Sequence, residues 1–310
     1  MTRLIKPELA TLTDKPFDRK GWIFEIKWDG FRTLADIKKD KVNLYSRNLL
    51  PFNEKFPEVA ASLKKIKKNM LLDGEVVVLD KQGKSHFQLL QNYLQNNHNG
   101  QLVYYVFDIL FLDGRDLRSL PLSERKKLLQ KNLPRMRNIK ISDHIEETGI
   151  KFFQAAKKRG LEGIVAKDLK SPYRSGRRTD DWLKIKISQE QEAVIGGFTA
   201  PRGSRKKFGA LVLGVYERGK FVYIGHTGGG FNDLNLKMVH DKLLKLKTKE
   251  SPFVVTPKTN APATWVKPKL VCQVKFEEWT GDGHMRQPIF LGMRMDKAPK
   301  EVRREIPNHK

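Results

Sequence analysis

The sequence is poor in cysteine, poor in acid and free of long apolar runs. Cys272 stands alone among 310 residues, which excludes internal disulfides and cysteine-based zinc sites and fits a reducing cytosol. No apolar run approaches the roughly 20 residues needed to span a bilayer, so no membrane partner is expected. Met1 to Arg19 carries acids and prolines without an apolar core, and reads as neither a signal peptide nor an anchor. With no histidine or cysteine cluster, nothing competes for a soft metal. The pattern G-x-x-x-x-G-K-[ST] is missing, so any nucleotide is held without a P-loop. Internal repeats and low-complexity segments are also absent.

The shortage of acid is the most informative absence. Asp and Glu number 35 against 60 Lys and Arg, a formal charge of +25, and the excess is spread along the whole chain. A compact protein so charged repels itself, which points to a polyanionic partner, nucleic acid being the commonest.

An apolar fraction of 39% suffices for two cores of ordinary size. Lys6 to Lys20 reads as an extended lead-in. A strand from Trp22 to about Ile37 turns at Lys38–Lys41 into a partner, Val42 to Arg47. Phe52 to Asn69 reads as a helix, Met70 to Leu79 as a strand and Phe87 to Asn96 as a helix. Leu102 to Phe111 is apolar nearly throughout, as a central strand should be. Ser123 is placed to N-cap a helix ending near Asn132, and Lys151 to Arg159 makes another that Gly160 can terminate. Strands follow at Gly163 to Asp168 and Trp182 to Ile187. After Ser188 the texture changes to short strands with glycine-rich turns: Glu192 to Thr199, Ala210 to Glu217, Phe221 to Ile224 and Leu270 to Trp279, with a helix over Asp233 to Leu246. This predicts an α+β chain, residues 1–187 with mainly antiparallel sheets flanked by helices, and 188–310 as an all-β OB-fold barrel with one helix and a basic C-terminal tail.

The first region carries the chemistry. In Trp22-Ile-Phe-Glu-Ile-Lys27-Trp-Asp-Gly-Phe-Arg32, period two puts Glu25, Lys27 and Asp29 on one face and Trp22, Phe24, Ile26 and Trp28 on the other. On its own such a lysine is an edge-strand cation paired with a neighbouring acid. At neutral pH only about one lysine in two thousand is the free amine that can attack an electrophile, and a nearby metal, other lysines or burial would bias it that way. Lys184 and Lys186 share a strand face about 7 Å apart and repel unless an anion lies between them, a phosphate being the obvious one. Glu75, Glu162 and Asp29 offer the hard oxygens that Mg²⁺ prefers.

Taken together, these segments resemble a known family. Lys27-Trp-Asp-Gly-Phe-Arg32 matches K-x-D-G-x-R of the covalent nucleotidyltransferases, which comprise DNA ligases, RNA ligases and messenger RNA capping enzymes. Ser46-Arg47, Asp73-Gly-Glu75, Val106-Phe-Asp108, Glu162-Gly-Ile-Val-Ala-Lys167, Lys184-Ile-Lys186 and Arg294-Met-Asp-Lys297 follow in the family's order. The finer wording, including Ser171-Pro-Tyr-Arg-Ser-Gly-Arg-Arg178, resembles the ligase domain of bacterial ligase D, which acts in non-homologous end joining. The resemblance implies an ATP-dependent DNA ligase in which Lys27 is the nucleophile, Glu25, Arg32, Arg47, Glu75, Phe107, Lys184, Lys186, Arg294 and Lys297 bind the nucleotide, and Glu75 and Glu162 hold Mg²⁺, with Mn²⁺ as a substitute. It implies a monomer acting on nicked double-stranded DNA in a prokaryotic cytoplasm, at the nucleoid, with a DNA end-binding repair protein as a further partner. An RNA ligase or a GTP-using capping-type enzyme shares the chemistry, and a scaffold without activity would need a broken motif, of which there is none.

Only 26 residues precede Lys27, leaving no room before it for the family's helical DNA-binding domain, so DNA contact is expected from basic clusters: Arg174, Arg177 and Arg178, and Arg202, Arg205, Lys206 and Lys207. His226-Thr-Gly228-Gly-Gly230 reads as a barrel turn rather than a phosphate cradle. His98, His144 and His284 read as surface residues.

Overall fold

The computed structural model describes residues 4–39, 41–95, 99–201, 203 and 206–306. The expected DNA contacts Arg202 and Arg205, the surface reading of His98 and the end of the C-terminal tail lie outside these. Packing separates the chain into two compact units, one of Met1–Ile187 with Ile306–Lys310 and one spanning Ser188–Glu305. The architecture is α+β, and among the described residues no helix is long and apolar enough to cross a membrane.

The first unit runs β1 (Leu9–Leu12), β2 (Trp22–Ile26), β3 (Phe31–Lys38), β4 (Lys41–Ser46), α1 (Pro57–Leu63), β5 (Met70–Leu79), α2 (Phe87–Tyr93), β6 (Gln101–Leu112), β7 (Arg115–Asp116), α3 (Leu122–Asn132), β8 (Ile139–Ile141), β9 (His144–Glu146), α4 (Gly149–Lys158), β10 (Gly163–Asp168) and β11 (Arg178–Lys186). These build two sheets. One has the order β1-β11-β10-β2-β9, the other β4-β3-β5-β6-β7 with β8 beside β6. All pairs are antiparallel except β1 with β11 and β6 with β8.

The lysine segment departs from expectation in an instructive way. Trp22 to Ile37 is not one strand: β2 ends at Ile26 in the first sheet, and β3 begins at Phe31 in the second. Lys27 to Gly30 is the crossing between them. A Cβ on Gly30 would collide with the Val76 carbonyl oxygen of β5, so only glycine lets the chain pass that close. Asp29 leaves the Lys27 face altogether. Its Oδ2 accepts from the Phe87 amide at 2.9 Å and so satisfies an orphan donor at the start of α2.

Other differences have local causes. The helix expected over Phe52 to Asn69 begins only at Pro57, because a residue preceding proline is pushed out of the helical region and Phe56 sits at φ −131°. Phe52 and Phe56 are buried instead in the core of the second sheet, and Asn53 hydrogen-bonds Val42 and Leu44 of β4. Ser123 is not a cap, since α3 starts at Leu122 behind Pro121 without any side-chain cap. Gly160 does follow α4 in the left-handed region, at φ +65°. β1 and the short strands β7 to β9 carry too few residues to show a period.

The second unit contains β12 (Gln189–Thr199), β13 (Leu211–Glu217), β14 (Lys220–Thr227), α5 (Asp233–Leu244), β15 (Ala263–Phe276) and β16 (Ile289–Arg294). They form one antiparallel sheet in the order β14-β13-β12-β15-β16, an OB-type barrel around Val194, Leu213, Ile224, Val239 and Val271. α5 opens with a capping box between Asn232 and Asn235. The strand β16 is not legible in the sequence, because Ile289-Phe-Leu-Gly-Met-Arg lacks alternation. In the glycine loop, Gly229 bridges to Ile289 and a Cβ on Gly230 would meet the Phe290 carbonyl oxygen, which is the barrel turn.

Candidate active site

Register places the charged residues of the first sheet in rows. Across β2, β10 and β11, Ile23 aligns with Lys167 and Trp182, and Glu25 with Val165 and Lys184. Lys27 follows as the next step: its amide donates to the Gly163 carbonyl at 3.0 Å, and Gly163 faces Lys186. Opposite residues in an antiparallel pair point the same way, so Lys27, Lys184, Lys186, Glu25 and Lys167 share one face. The reverse face carries Phe24, Ile164, Ala166 and Ile185 as a packed apolar layer. A Cβ on Gly163 would strike the Ile185 carbonyl oxygen, which accounts for the glycine after Glu162.

The Lys27 ammonium is paired with Glu162 Oε1, its side chain 21% exposed and that of Glu162 6%. Glu162 Oε2 is buried and without a hydrogen-bond partner, an oxygen that a cation can claim. Glu75 is half-buried on β5, directly across from Arg32 on β3. Among the described residues no group of three or more His, Cys, Asp or Glu could hold a metal. Mg²⁺, however, keeps several waters and is commonly bound by one or two carboxylates with substrate phosphates. The donor set, an orphaned carboxylate oxygen with a second carboxylate in the same unit, fits that habit.

Arg32 turns towards Asp73 rather than outward. Its Nε and Nη2 donate to the two Asp73 oxygens at 2.6 Å each, and the Tyr173 hydroxyl donates to Asp73 Oδ2 at 2.6 Å. Burial, reinforced by Asp73, raises the Tyr173 phenol well above its ordinary value, so it stays a donor. The same guanidinium lies 4.5 Å from the Phe107 ring centroid, and Lys167 Nζ lies 4.2 Å from it. Phe107 is only 7% exposed, and Trp182 meets it edge-on. It is therefore a ring flanked by cations rather than an open platform. Arg47 lies half-buried in the turn after β4.

Glu25 is a buried anion held by two lysines. Lys126 of α3 donates to its Oε1, and Lys167 to its Oε2 at 2.9 Å. Burial alone would raise the Glu25 carboxyl, but the two ammonium groups outweigh it and hold the carboxyl below its ordinary value. Burial pushes Lys167 down to about 8, against the pull of Glu25. Arg125, the preceding residue of α3, makes a two-pronged pair with Asp108 at 2.9 Å per bond, with both side chains fully buried. Asp108 follows Phe107 on β6, whereas Glu25 lies two residues before Lys27 on β2. Two adjacent residues of one helix thus pin the two sheets together beside Lys27. Arg125 and Lys126 escape sequence reading because a basic pair in a helix usually belongs to a solvated face. His144, read as a surface residue, lies in β9 opposite Glu25, half-buried and with its pKa lowered by burial. His284 is also half-buried and pairs with Asp282 at 2.7 Å.

The remaining candidates fall elsewhere. Arg294 and Lys297 belong to the second unit, where Arg294 makes a two-pronged pair with Asp296 (2.9 and 2.7 Å) and Lys297 reaches Glu192 at 2.6 Å. Arg174, Arg177 and Arg178 are exposed in the loop leading into β11 and at its start, Arg174 paired with Asp181 at 3.0 Å. Lys206 and Lys207 are exposed in the second unit.

A lysine paired with a carboxylate, on one sheet face with Lys184 and Lys186, is the arrangement expected of a covalent nucleotidyltransferase. Residues 7–186 match the ATP dependent DNA ligase domain, and 204–297 match the ATP dependent DNA ligase C terminal region. The chain belongs to the ATP-dependent DNA ligases. It is 37% identical, over 99% of its length, to the multifunctional non-homologous end joining protein LigD of Pseudomonas aeruginosa, covering 37% of that protein. Against the LigD of Mycobacterium tuberculosis the identity is 36%, over 97% of this chain and 40% of that one. The chain thus spans less than half the length of these curated relatives. Among solved structures it resembles mycobacterial DNA ligase D complexed with ATP and MES, with a TM-score of 0.71, 34% identity and 97% and 98% of the two chains covered.

Proposed function

We propose that the chain seals nicks in double-stranded DNA through a lysyl-AMP intermediate formed on Lys27, using ATP. The observation that carries this reading is the placement of Lys27 against Glu162, on the face shared with Lys184 and Lys186. Lys27 Nζ, once deprotonated, attacks the α-phosphorus of ATP; an N–P bond forms, the bond to the β-phosphate oxygen breaks, and pyrophosphate leaves. An oxygen of the 5′-phosphate at the nick then attacks the AMP phosphorus, the N–P bond breaks and the Lys27 amine is released. Finally the 3′-hydroxyl attacks the phosphorus of the 5′-phosphate, its bond to the AMP oxygen breaks, AMP departs and the phosphodiester is made. Lys184 and Lys186 neutralise the α-phosphate, which is most of what phosphoryl transfer asks of a protein. Glu25, Arg32, Arg47 and Phe107 frame the base and ribose, with Glu25 and Arg32 acting from fixed, paired positions. Glu75 and Glu162 would hold Mg²⁺, which when bound adds positive charge beside the phosphates and opposes protonation of Lys27. Arg294 and Lys297 engage the outgoing phosphates by exchanging Glu192 and Asp296 for them. Arg174, Arg177, Arg178, Lys206 and Lys207 bind the DNA backbone, and the enzyme works as a monomer in the bacterial cytoplasm, at the nucleoid. Because the relatives named above are end-joining proteins, double-strand break repair with an end-binding partner is the fitting role.

The test is direct. The protein and its Lys27→Ala variant are incubated with Mg²⁺ and α-labelled ATP or GTP, separated under denaturing conditions, and chased with nicked DNA or nicked RNA. Label from ATP on the wild type alone, discharged by nicked DNA with strand joining, is the expected result. Label from GTP, or discharge only by RNA, would transfer the chain to the capping or RNA-ligase class. Unlabelled protein that nevertheless joins DNA without added ATP has been purified already adenylated.

A further inference from the structure

The barrel holds a cavity that the sealing reaction leaves unused. It has a volume of about 640 Å³, and its lining among the described residues comes from the second unit, including Ala200, Gly209, Tyr223, His226, His284 and Met285. In a chain of charge +25, not one of its lining residues among the described residues is Lys, Arg, Asp or Glu. That composition suits a neutral, planar, polar guest and excludes a triphosphate.

The backbone is arranged to make this site. Along β14, Tyr223 and His226 are three residues apart and would point to opposite faces of a regular strand. The register instead shifts between Leu213 and Gly214, so that Gly225 opposes Leu213, Tyr223 opposes Gly214, and Ile224 is the extra residue. This bulge re-aims the strand and brings Tyr223 Oη within 2.8 Å of His226 Nδ1. The His284 ring lies edge-on to Tyr223, 5.0 Å between centroids. Burial lowers the His226 pKa and raises that of Tyr223 to about 12, so both are neutral at pH 7. With Nδ1 engaged by a hydroxyl that can donate or accept, Nε2 can take the complementary role by a change of tautomer. A site of that kind accepts either polarity of hydrogen bond, and so any base.

Charge lies beside the cavity rather than in it. Ala200 and Gly209 both line the wall, and the loop between them carries the exposed Lys206 and Lys207. The loop is closed at its neck by the Gly209 amide to the Thr199 carbonyl, 2.9 Å. We propose that this cavity receives one unstacked nucleobase of a single-stranded DNA segment, held by Tyr223, His226 and His284, with an adjacent phosphate on Lys206 and Lys207. Stacking on aromatic rings with backbone contacts from lysines is how single strands are bound without sequence preference. The ligase reading enters only in the choice of DNA as the polyanion.

The test uses the full chain carrying Lys27→Ala, without nucleotide, so that it does not depend on adenylation. A short single strand containing one 2-aminopurine is titrated by fluorescence, and its affinity is compared with the same strand abasic at that position. The expected results are a quenched base, binding about tenfold tighter than the abasic strand, and no dependence on which base fills the position. Tyr223→Ala and His226→Ala should each erase the advantage over the abasic strand. Tyr223→Phe, which keeps the ring and the fold, should retain the quenching with a smaller advantage. Lys206→Ala with Lys207→Ala should weaken both strands equally. Equal binding of base-bearing and abasic strands by the unsubstituted site, no binding of either, or an advantage unchanged in Tyr223→Ala, overturns the proposal.

Discussion

The trio Glu25, Lys126 and Lys167 gives the sharpest energetic prediction, because it buries two ammonium groups around one carboxylate and so carries a surplus positive charge. Glu25, Lys126 and Lys167 are each 3% exposed or less. Removing the sole partner of a buried charge typically costs about 3–5 kcal/mol. Here either lysine can go while the other still holds the carboxylate. Lys167→Met should therefore be neutral or stabilising: the lysine sits at about 8 instead of its ordinary 10.5, a penalty on the order of 3 kcal/mol. Lys126→Met should cost no more than about 2 kcal/mol and, by deleting a like charge, raise the Lys167 pKa. The double variant leaves Glu25 stranded and should cost the full ~3–5 kcal/mol. The two substitutions are thus strongly non-additive.

The pH dependence has a definite sign. In the wild type the Glu25 carboxyl is held below its ordinary value, so its contribution is full above the unfolded carboxylate pKa and is lost as pH falls through the folded one. In the double variant only burial remains and the folded value rises above the unfolded one; the deficit should shrink as pH is lowered from 7 towards 4. Lys167 acts at the other end, with the unfolded state binding more protons between about 8 and 10.5, so wild-type stability should climb across that window and Lys167→Met should not. Urea unfolding of the four proteins at pH 5, 7 and 9.5 measures all of this. Additive losses, or a Lys167→Met as damaging as the double variant, would refute the surplus-charge reasoning.

Three further outcomes follow from other contacts. Tyr173→Phe removes a hydroxyl that donates to Asp73 at 2.6 Å and accepts from the Glu8 amide at 3.0 Å; it should cost about 1–3 kcal/mol of stability, measured by urea unfolding, while Arg32→Lys, which loses a two-pronged pair, should weaken ATP use more than Tyr173→Phe does. Gly163→Ala should unfold or strongly destabilise the first unit by forcing β10 away from Ile185, whereas Gly203→Ala, where a Cβ meets nothing but φ is +62°, should cost only about 1 kcal/mol; thermal melts of the two check this. Strand joining should fall steeply between 50 and 200 mM salt while self-adenylation falls far less, and parallel salt curves for the two would count against DNA contact as the use of the basic excess.

What the sequence reveals, and what it hides, follows from the range of the forces involved. The β5 and β10 boundaries are legible because each is a short run rich in apolar and β-branched residues, and the face shared by Glu25 and Lys27 because side chains alternate along a strand. The fate of those side chains is not, since Glu25 meets Lys126 across 101 residues of chain and Lys167 across 142, and no local pattern records that a helical lysine will be buried. Phe56 is hidden by a steric rule one residue long, and the meeting of Tyr223 with His226 by a bulge that breaks strand periodicity. The Lys27 segment unites both effects. Strand periodicity carries it correctly as far as Ile26, after which Gly30 allows a backbone approach to Val76 that no side chain would permit, and the chain leaves one sheet for the other. Lys27, the proposed nucleophile, stands at that crossing, with Glu162 before it and α3 fastening the sheets on either side. A continuous strand would have kept Lys27 in a ladder. The crossing instead frees its side chain for Glu162 while its amide stays bonded to Gly163.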